Sequence, residues 1–236
     1  TSNGLVVRRE VVDQWALKGT NFDFVHLITS MFMHGSPFHL LGNMWFLYLF
    51  GFAVEGRMRT WRFVPMYLLA GICGSVAHHL VFGVKNPNIP SLGASGAIMG
   101  VVGAAMLLFP YAKISVLSRW TAAAGGDYLS DWAMWVVGLY YVGFDLIYGL
   151  LGIRDGVAHF AHLGGAVAGL LIPLILCVKR DSEFASEVKA QVHEAKTFKG
   201  LGRMQLAELY RHDPTKPALV FEWVRASLFD PRGVND

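Results

Sequence analysis

An all-α, polytopic membrane helical bundle with a short helical tail is predicted by three features. They are five apolar runs of near-spanning length, a composition that is 54% hydrophobic and 16% charged over 236 residues, and a positive mean hydropathy of +0.42. A soluble core cannot enclose that much apolar surface, so lipid bilayer must cover part of it. The formal net charge of +3 is scattered, with no Lys/Arg run and no nucleic-acid module, which leaves a nucleic-acid partner unsupported. Cys73 and Cys177 both fall in apolar runs, where a thiol packs, and imply neither a disulfide framework nor a zinc site.

Residues 1–37 carry Phe22, Phe24, Val25, Leu27, Ile28, Met31 and Phe32 in an amphipathic pattern, which predicts a helix lying on the membrane surface. Asn21 or Asp23 would cap it, and Gly35-Ser-Pro37 would end it. Residues 1–20 hold no apolar stretch of signal length, so the first span is expected to carry insertion unless the sequence is a fragment of a longer chain. The spans are expected at about 38–54, 63–82, 92–109, 132–151 and 157–178. Residues 55–62 read as a polar turn, and 110–131 as a longer connection broken at Gly125-Gly126. Residues 179–236 change character, with ten Lys/Arg against nine Asp/Glu, and suggest helices near 183–197, 201–211 and 215–229.

Orientation follows from basic residues in short loops. Arg57, Arg59, Arg62, Lys113, Arg119, Lys179 and Arg180 fall on one side, and only Lys85 and Arg154 in the loops of the other. The expected organisation is therefore an extracytoplasmic surface segment over 1–37, a transmembrane domain over 38–178, and a cytoplasmic tail over 179–236 with an unknown partner. The first, third and fifth spans then all run inward. They bring His39 and Asn43, Gly93-Ala-Ser95-Gly96, and His159-Phe-Ala-His162 to a common depth below the outer face.

Polar side chains in spans are costly and tend to face the bundle interior and one another. A serine hydroxyl becomes a nucleophile when an imidazole takes its proton, and the oxyanion that follows needs donors. Ser95 and His162 supply the first two groups. His39 and Asn43, one turn apart on one helix face, can supply side-chain donors beside the Ser95 N–H.

The set His39-x-x-x-Asn43, Gly93-x-Ser95-Gly96 and Ala161-His162-x-x-Gly165-x-x-x-Gly169, in this order, resembles the rhomboid family of intramembrane serine proteases over roughly residues 25–178. Glu55 and Arg57 at the inner end of the first span add to the likeness. The resemblance implies six core spans, of which the five above are present and the one expected before residue 1 is not in the sequence. It also implies a serine endopeptidase that cleaves single-span transmembrane proteins near the outer face by a Ser-His dyad. Ser95 would be nucleophile, His162 general base and acid, and His39 and Asn43 oxyanion donors, with no cofactor. A plasma (inner) membrane location goes with this reading.

Three rival readings concern the same residues. His159 and His162 with His78 and His79 suggest a metal site, but no Cys, Asp or Glu at ligand spacing completes it, and His78, His79 and His159 are expected to reach interfacial water. Asp145 could orient His162; the dyad implied by the resemblance favours instead an acid turned outward or paired with Tyr140, Tyr141 or Tyr148. The alternative function is a non-catalytic relative that binds or traffics client membrane helices. Such relatives typically lack the serine or the histidine, and this chain has both.

Overall fold

The computed structural model describes residues 9–117, 129–181 and 203–212. The chain divides into two compact units, Thr1–Val178 and Lys179–Asp236. In the first, short helices α1 (Arg9–Trp15) and α2 (Phe24–Thr29) precede the long helices α3 (Pro37–Met58) and α4 (Thr60–His78). Then come α5 (Ser95–Leu108), the strands β1 (Lys113–Leu117) and β2 (Leu129–Ala133), α6 (Met134–Leu151) and α7 (His159–Ile175). In the second unit, α8 (Arg203–His212) overlaps the helix expected at 201–211; the stretches 183–197 and 215–229 lie outside the described residues, as do Arg119 and the Gly125-Gly126 break.

The expected surface helix is broken into pieces. Asp23 caps α2 by accepting the His26 N–H at 2.9 Å, whereas Asn21 ties the preceding turn instead, accepting from the Lys18 N–H and donating to Ala16 O. Helix α3 opens on Ser36, whose hydroxyl accepts the His39 N–H at 3.1 Å, and on Pro37, which has no N–H to satisfy. It then runs through Glu55 to Met58, so the polar turn expected over 55–62 shrinks to Arg59 at φ +69°. Glu, Arg and Met favour helix, and the Thr60 hydroxyl donates to the Glu55 carboxylate across the break.

Among the described residues, three helical stretches, Pro37–Met58, Thr60–Gly83 and Met134–Leu151, are long and apolar enough to cross a membrane, and in each the apolar window is only 22% buried. On α3, Phe38, Leu41, Trp45, Tyr48 and Phe52 recur every three or four residues at 60–85% exposure, an outward apolar face suited to lipid. Helix α5 is different. Eleven of its fourteen residues are buried, and it packs against α3, α4, α6 and α7. At about 1.5 Å per residue it covers about 21 Å, less than a hydrocarbon core of about 30 Å.

Helices α5 and α7 meet backbone to backbone. A Cβ on Gly165 would fall 1.9 Å from Gly96 O, and one on Gly169 would fall 1.7 Å from Gly100 O. The connection before α6 is an antiparallel hairpin, with Ser115 opposite Asp131 and its hydroxyl donating to the Asp131 carboxylate at 2.9 Å. Among the described residues this two-stranded element is the sheet that interrupts the helices, beside an isolated Leu17–Ser91 bridge, and a sequence periodicity that marks spans does not reveal it.

Candidate active site

Ser95 is the first residue of α5. The first main-chain bond inside that helix runs from the Ile98 N–H to Ala94 O at 3.0 Å, so the N–H groups of Ser95 and Gly96 have no acceptor within the helix. Such free N–H groups carry the positive end of the helix dipole and favour a developing negative charge. Before Ser95 the chain turns at Gly93, whose φ of +122° suits glycine. Its N–H donates to Ser30 O at 2.9 Å.

The close backbone contact of α5 with α7 brings His162 to Ser95, with Nε2 of the imidazole 2.8 Å from the Ser95 hydroxyl oxygen. On the other side of the ring, Nδ1 is 3.0 Å from both carboxylate oxygens of Asp145 on α6. An ionised carboxylate only accepts, so Nδ1 carries the hydrogen and Nε2 is left as acceptor for the serine O–H. Asp145 is 6% exposed and faces neither the membrane exterior nor the tyrosines. The expectation that it turns outward or pairs with Tyr140, Tyr141 or Tyr148 is therefore corrected: two imidazoles surround it. The second is His159, whose Nδ1 is 2.8 Å from Asp145 Oδ1 and whose Nε2 is 3.2 Å from Asp155 Oδ1. His159 was expected to reach interfacial water but is 4% exposed, because one turn before His162 it faces the same acid.

His39 stands across from Ser95. Its Nδ1 accepts the Gly35 N–H at 3.4 Å, which leaves the hydrogen of a neutral ring on Nε2. That Nε2 lies 3.0 Å from the point a Cβ on Gly93 would occupy, and the Ser95 hydroxyl oxygen lies 3.8 Å from the same point. Glycine at 93 thus leaves room for the ring as well as for the turn. The neighbouring His34 packs edge-on at 5.2 Å, and burial holds its pKa below the ordinary histidine value, which keeps it neutral beside His39. Asn43, one turn further along α3, is 8% exposed, and its side-chain Nδ2 has no hydrogen-bond partner among the described residues. A narrow hollow beside the serine is lined by Ser30, Ser91, Gly93, Ser95, Ala158 and Ala161 among others.

Sequence reasoning did not single out Asp155. The signal available was its position four residues before His159, which places both on one side of the turn into α7. Among the described residues, no three His, Cys, Asp or Glu side chains are grouped so as to hold a metal ion; His159, His162, Asp145 and Asp155 instead point at one another.

Fold and site together define a polytopic helical membrane protein with a serine–imidazole pair sunk inside its bundle. A rhomboid domain is matched over residues 21–179. The chain belongs to the rhomboid family. It is 31% identical over 156 residues to RHOMBOID-like protein 6, mitochondrial, of Arabidopsis thaliana, covering 66% of this chain and 45% of that protein. It is 30% identical over 158 residues to RHOMBOID-like protein 7 of the same plant, covering 67% of this chain and 44% of that one. To the human presenilin-associated rhomboid-like protein, mitochondrial, it is 31% identical over 146 residues, 61% of this chain and 36% of that protein. The chain spans less than half the length of these curated relatives.

Proposed function

We propose that this protein is an intramembrane serine endopeptidase that hydrolyses peptide bonds of single-span membrane proteins near the outer membrane face. The observation that carries the reading is the 2.8 Å contact between the Ser95 hydroxyl and His162 Nε2, on a ring whose Nδ1 is held by Asp145. The proposed apparatus is thus the expected serine–histidine pair with an acid behind it.

In the proposed reaction His162 Nε2 takes the Ser95 proton as the serine oxygen bonds to the scissile carbonyl carbon, and the carbonyl electron pair moves onto its oxygen. His39 Nε2–H, Asn43 Nδ2–H and the Ser95 N–H stabilise that oxyanion. Collapse breaks the C–N bond, and His162 returns the proton to the leaving amine. Water, deprotonated by His162, then attacks the acyl-enzyme, and Ser95 recovers its proton. The narrow hollow beside Ser95 is the route proposed for that water. The substrate helix enters between α3 and α6, which meet through the Phe46 and Tyr141 rings at 5.1 Å, and unwinds locally to present its carbonyl.

The expected plasma (inner) membrane has no support from the relatives, several of which carry mitochondrial names. The proposal therefore extends to a membrane and not to which one. A tagged single-span protein co-expressed with the wild-type chain should be cut, and the same protein beside Ser95→Ala should stay intact. Equal cleavage in both removes Ser95 from the chemistry. Retention of an uncut client by both forms favours the binding and trafficking alternative.

A further inference from the structure

Asp145 serves two imidazoles, and only one of them faces the serine. His159, on the same helix as His162 and one turn earlier, has Nδ1 at 2.8 Å from Asp145 Oδ1 and Nε2 at 3.2 Å from Asp155 Oδ1. An imidazole donates from both nitrogens to two ionised carboxylates only as the imidazolium, which at the same time offsets one of the two negative charges. A carboxylate as enclosed as Asp145, at 6% exposure, needs such compensation, because an unpaired buried charge is strongly unfavourable. The other groups about His159 are the Tyr148 ring of α6, with centroids 5.6 Å apart, and His78 of α4, near enough to both imidazoles to interact electrostatically. Neither supplies a negative charge. Asp155 sits in the turn before α7, where its carboxylate also accepts the Val157 N–H at 3.0 Å.

We propose that His159 is a positioning residue: bridging Asp145 and Asp155, it holds Asp145 in place for His162 and ties the 152–158 turn to the catalytic base. The proposal deepens the protease reading and rests on it for its kinetic consequence, while the bridge itself is a property of the resting protein. Without His159, Asp145 lacks its counter-charge and its second donor, and loses its fixed orientation toward Nδ1 of His162. His159 is buried, at 4% exposure, so the loss is expected on the chemical step rather than on substrate binding.

Two measurements on the full chain in detergent or liposomes test this. The first is cleavage of a single-span substrate by His159→Leu, His159→Asn and the His159→Leu/Asp145→Asn double variant. His159→Leu is expected to lower kcat by about tenfold or more at nearly constant KM, the pattern of an interaction that acts in the transition state. His159→Asn, which keeps an N–H toward Asp145, should recover part of the rate. The double variant should be no slower than Asp145→Asn alone, because both changes break one connection. A wild-type kcat in His159→Leu, or equal loss in the Leu and Asn variants, overturns the proposal and leaves the protease reading standing.

The second measurement needs no activity: nitrogen NMR of histidine-labelled wild-type protein and His159→Asn. The expected result is a doubly protonated His159 ring in the wild type and a His162 Nδ1–H signal that shifts in the variant. A singly protonated His159 together with an unmoved His162 signal overturns the proposal. If no substrate is cut by the wild type but the spectra are as expected, the protease reading fails and the bridge stands.

Discussion

Both carboxylate oxygens of Asp145 lie 3.0 Å from Nδ1 of His162, across the interface between α6 and α7. This arrangement fixes which ring nitrogen carries the hydrogen. Replacing Asp145 by asparagine puts an amide of similar shape in its place, whose N–H₂ can donate to Nδ1 and so drive the hydrogen to Nε2, where it blocks acceptance from Ser95. Asp145→Asn is expected to reduce kcat by about 10²–10⁴-fold, the range that general-base catalysis contributes. A cleavage assay with purified protein checks it, alongside a melting curve to show that the bundle is intact. A rate close to wild type would return the mechanism to a two-residue dyad.

The contact of α5 with α7 that carries His162 to Ser95 tolerates no side chain. A Cβ at Gly169 meets the Gly100 carbonyl oxygen at 1.7 Å, and backbone cannot swing aside as a flexible side chain does. Gly169→Ala should therefore destabilise the bundle by at least the ~1–3 kcal/mol typical of overpacking, and should separate the pair as well. Gly143 on α6 has nothing within 4 Å of its would-be Cβ, so Gly143→Ala is expected to be neutral or to stabilise by about 0.5–1 kcal/mol. Thermal unfolding of both variants in one detergent measures the contrast.

Much of this was legible in the chain because polar residues in apolar runs are few, and each had to face another. His39, Asn43, Ser95 and His162 stand out at the heads of their runs for that reason. Asp145 was visible, and His162 was one of the partners open to it, but the choice between His162 and the tyrosines was not: periodicity gives the depth of a residue along a helix, but not which neighbouring helix it faces. His159 and Asp155 were hidden by the same limit, since their meaning appears only once α6 and α7 are side by side. The β hairpin escaped because Ile114 and Val116 alternate with Lys113 and Ser115 over only five residues. The short start of α5 at Ser95 reflects Gly93, whose positive φ ends the preceding extended stretch three residues later than the apolar run alone suggests.

Acid should loosen the segment before α3. The Asp23 carboxylate accepts the His26 N–H and also meets the His26 ring at 2.8 Å, and these bonds hold its pKa below the ordinary aspartate value. Because the folded value is the lower one, the unfolded chain binds the proton first as pH drops, so the cap contributes fully above the ordinary aspartate range and is lost as pH falls through the folded value. Asp23→Ala should accordingly weaken protection of the α2 amides at neutral pH and have little effect in strong acid. Hydrogen exchange at the two conditions is the measurement, and an equal effect at both would remove Asp23 as the cap.

Asn43 poses a conflict between folding and reaction. A buried amide donor without a partner is unfavourable by roughly 1–3 kcal/mol, and nothing in the resting site relieves the Asn43 Nδ2 among the described residues. Removing it should therefore be neutral or favourable for stability, unlike most buried-residue deletions. If the donor is held for the oxyanion, Asn43→Ala should slow cleavage by about 10²–10³-fold, the usual loss for one such donor. The loss should fall on kcat, because the ground-state carbonyl engages the donor less than the oxyanion does. A melting temperature at or above wild type together with a collapsed kcat is the expected pair of results. An equally fast Asn43→Ala would leave His39 and the Ser95 N–H to stabilise the oxyanion alone.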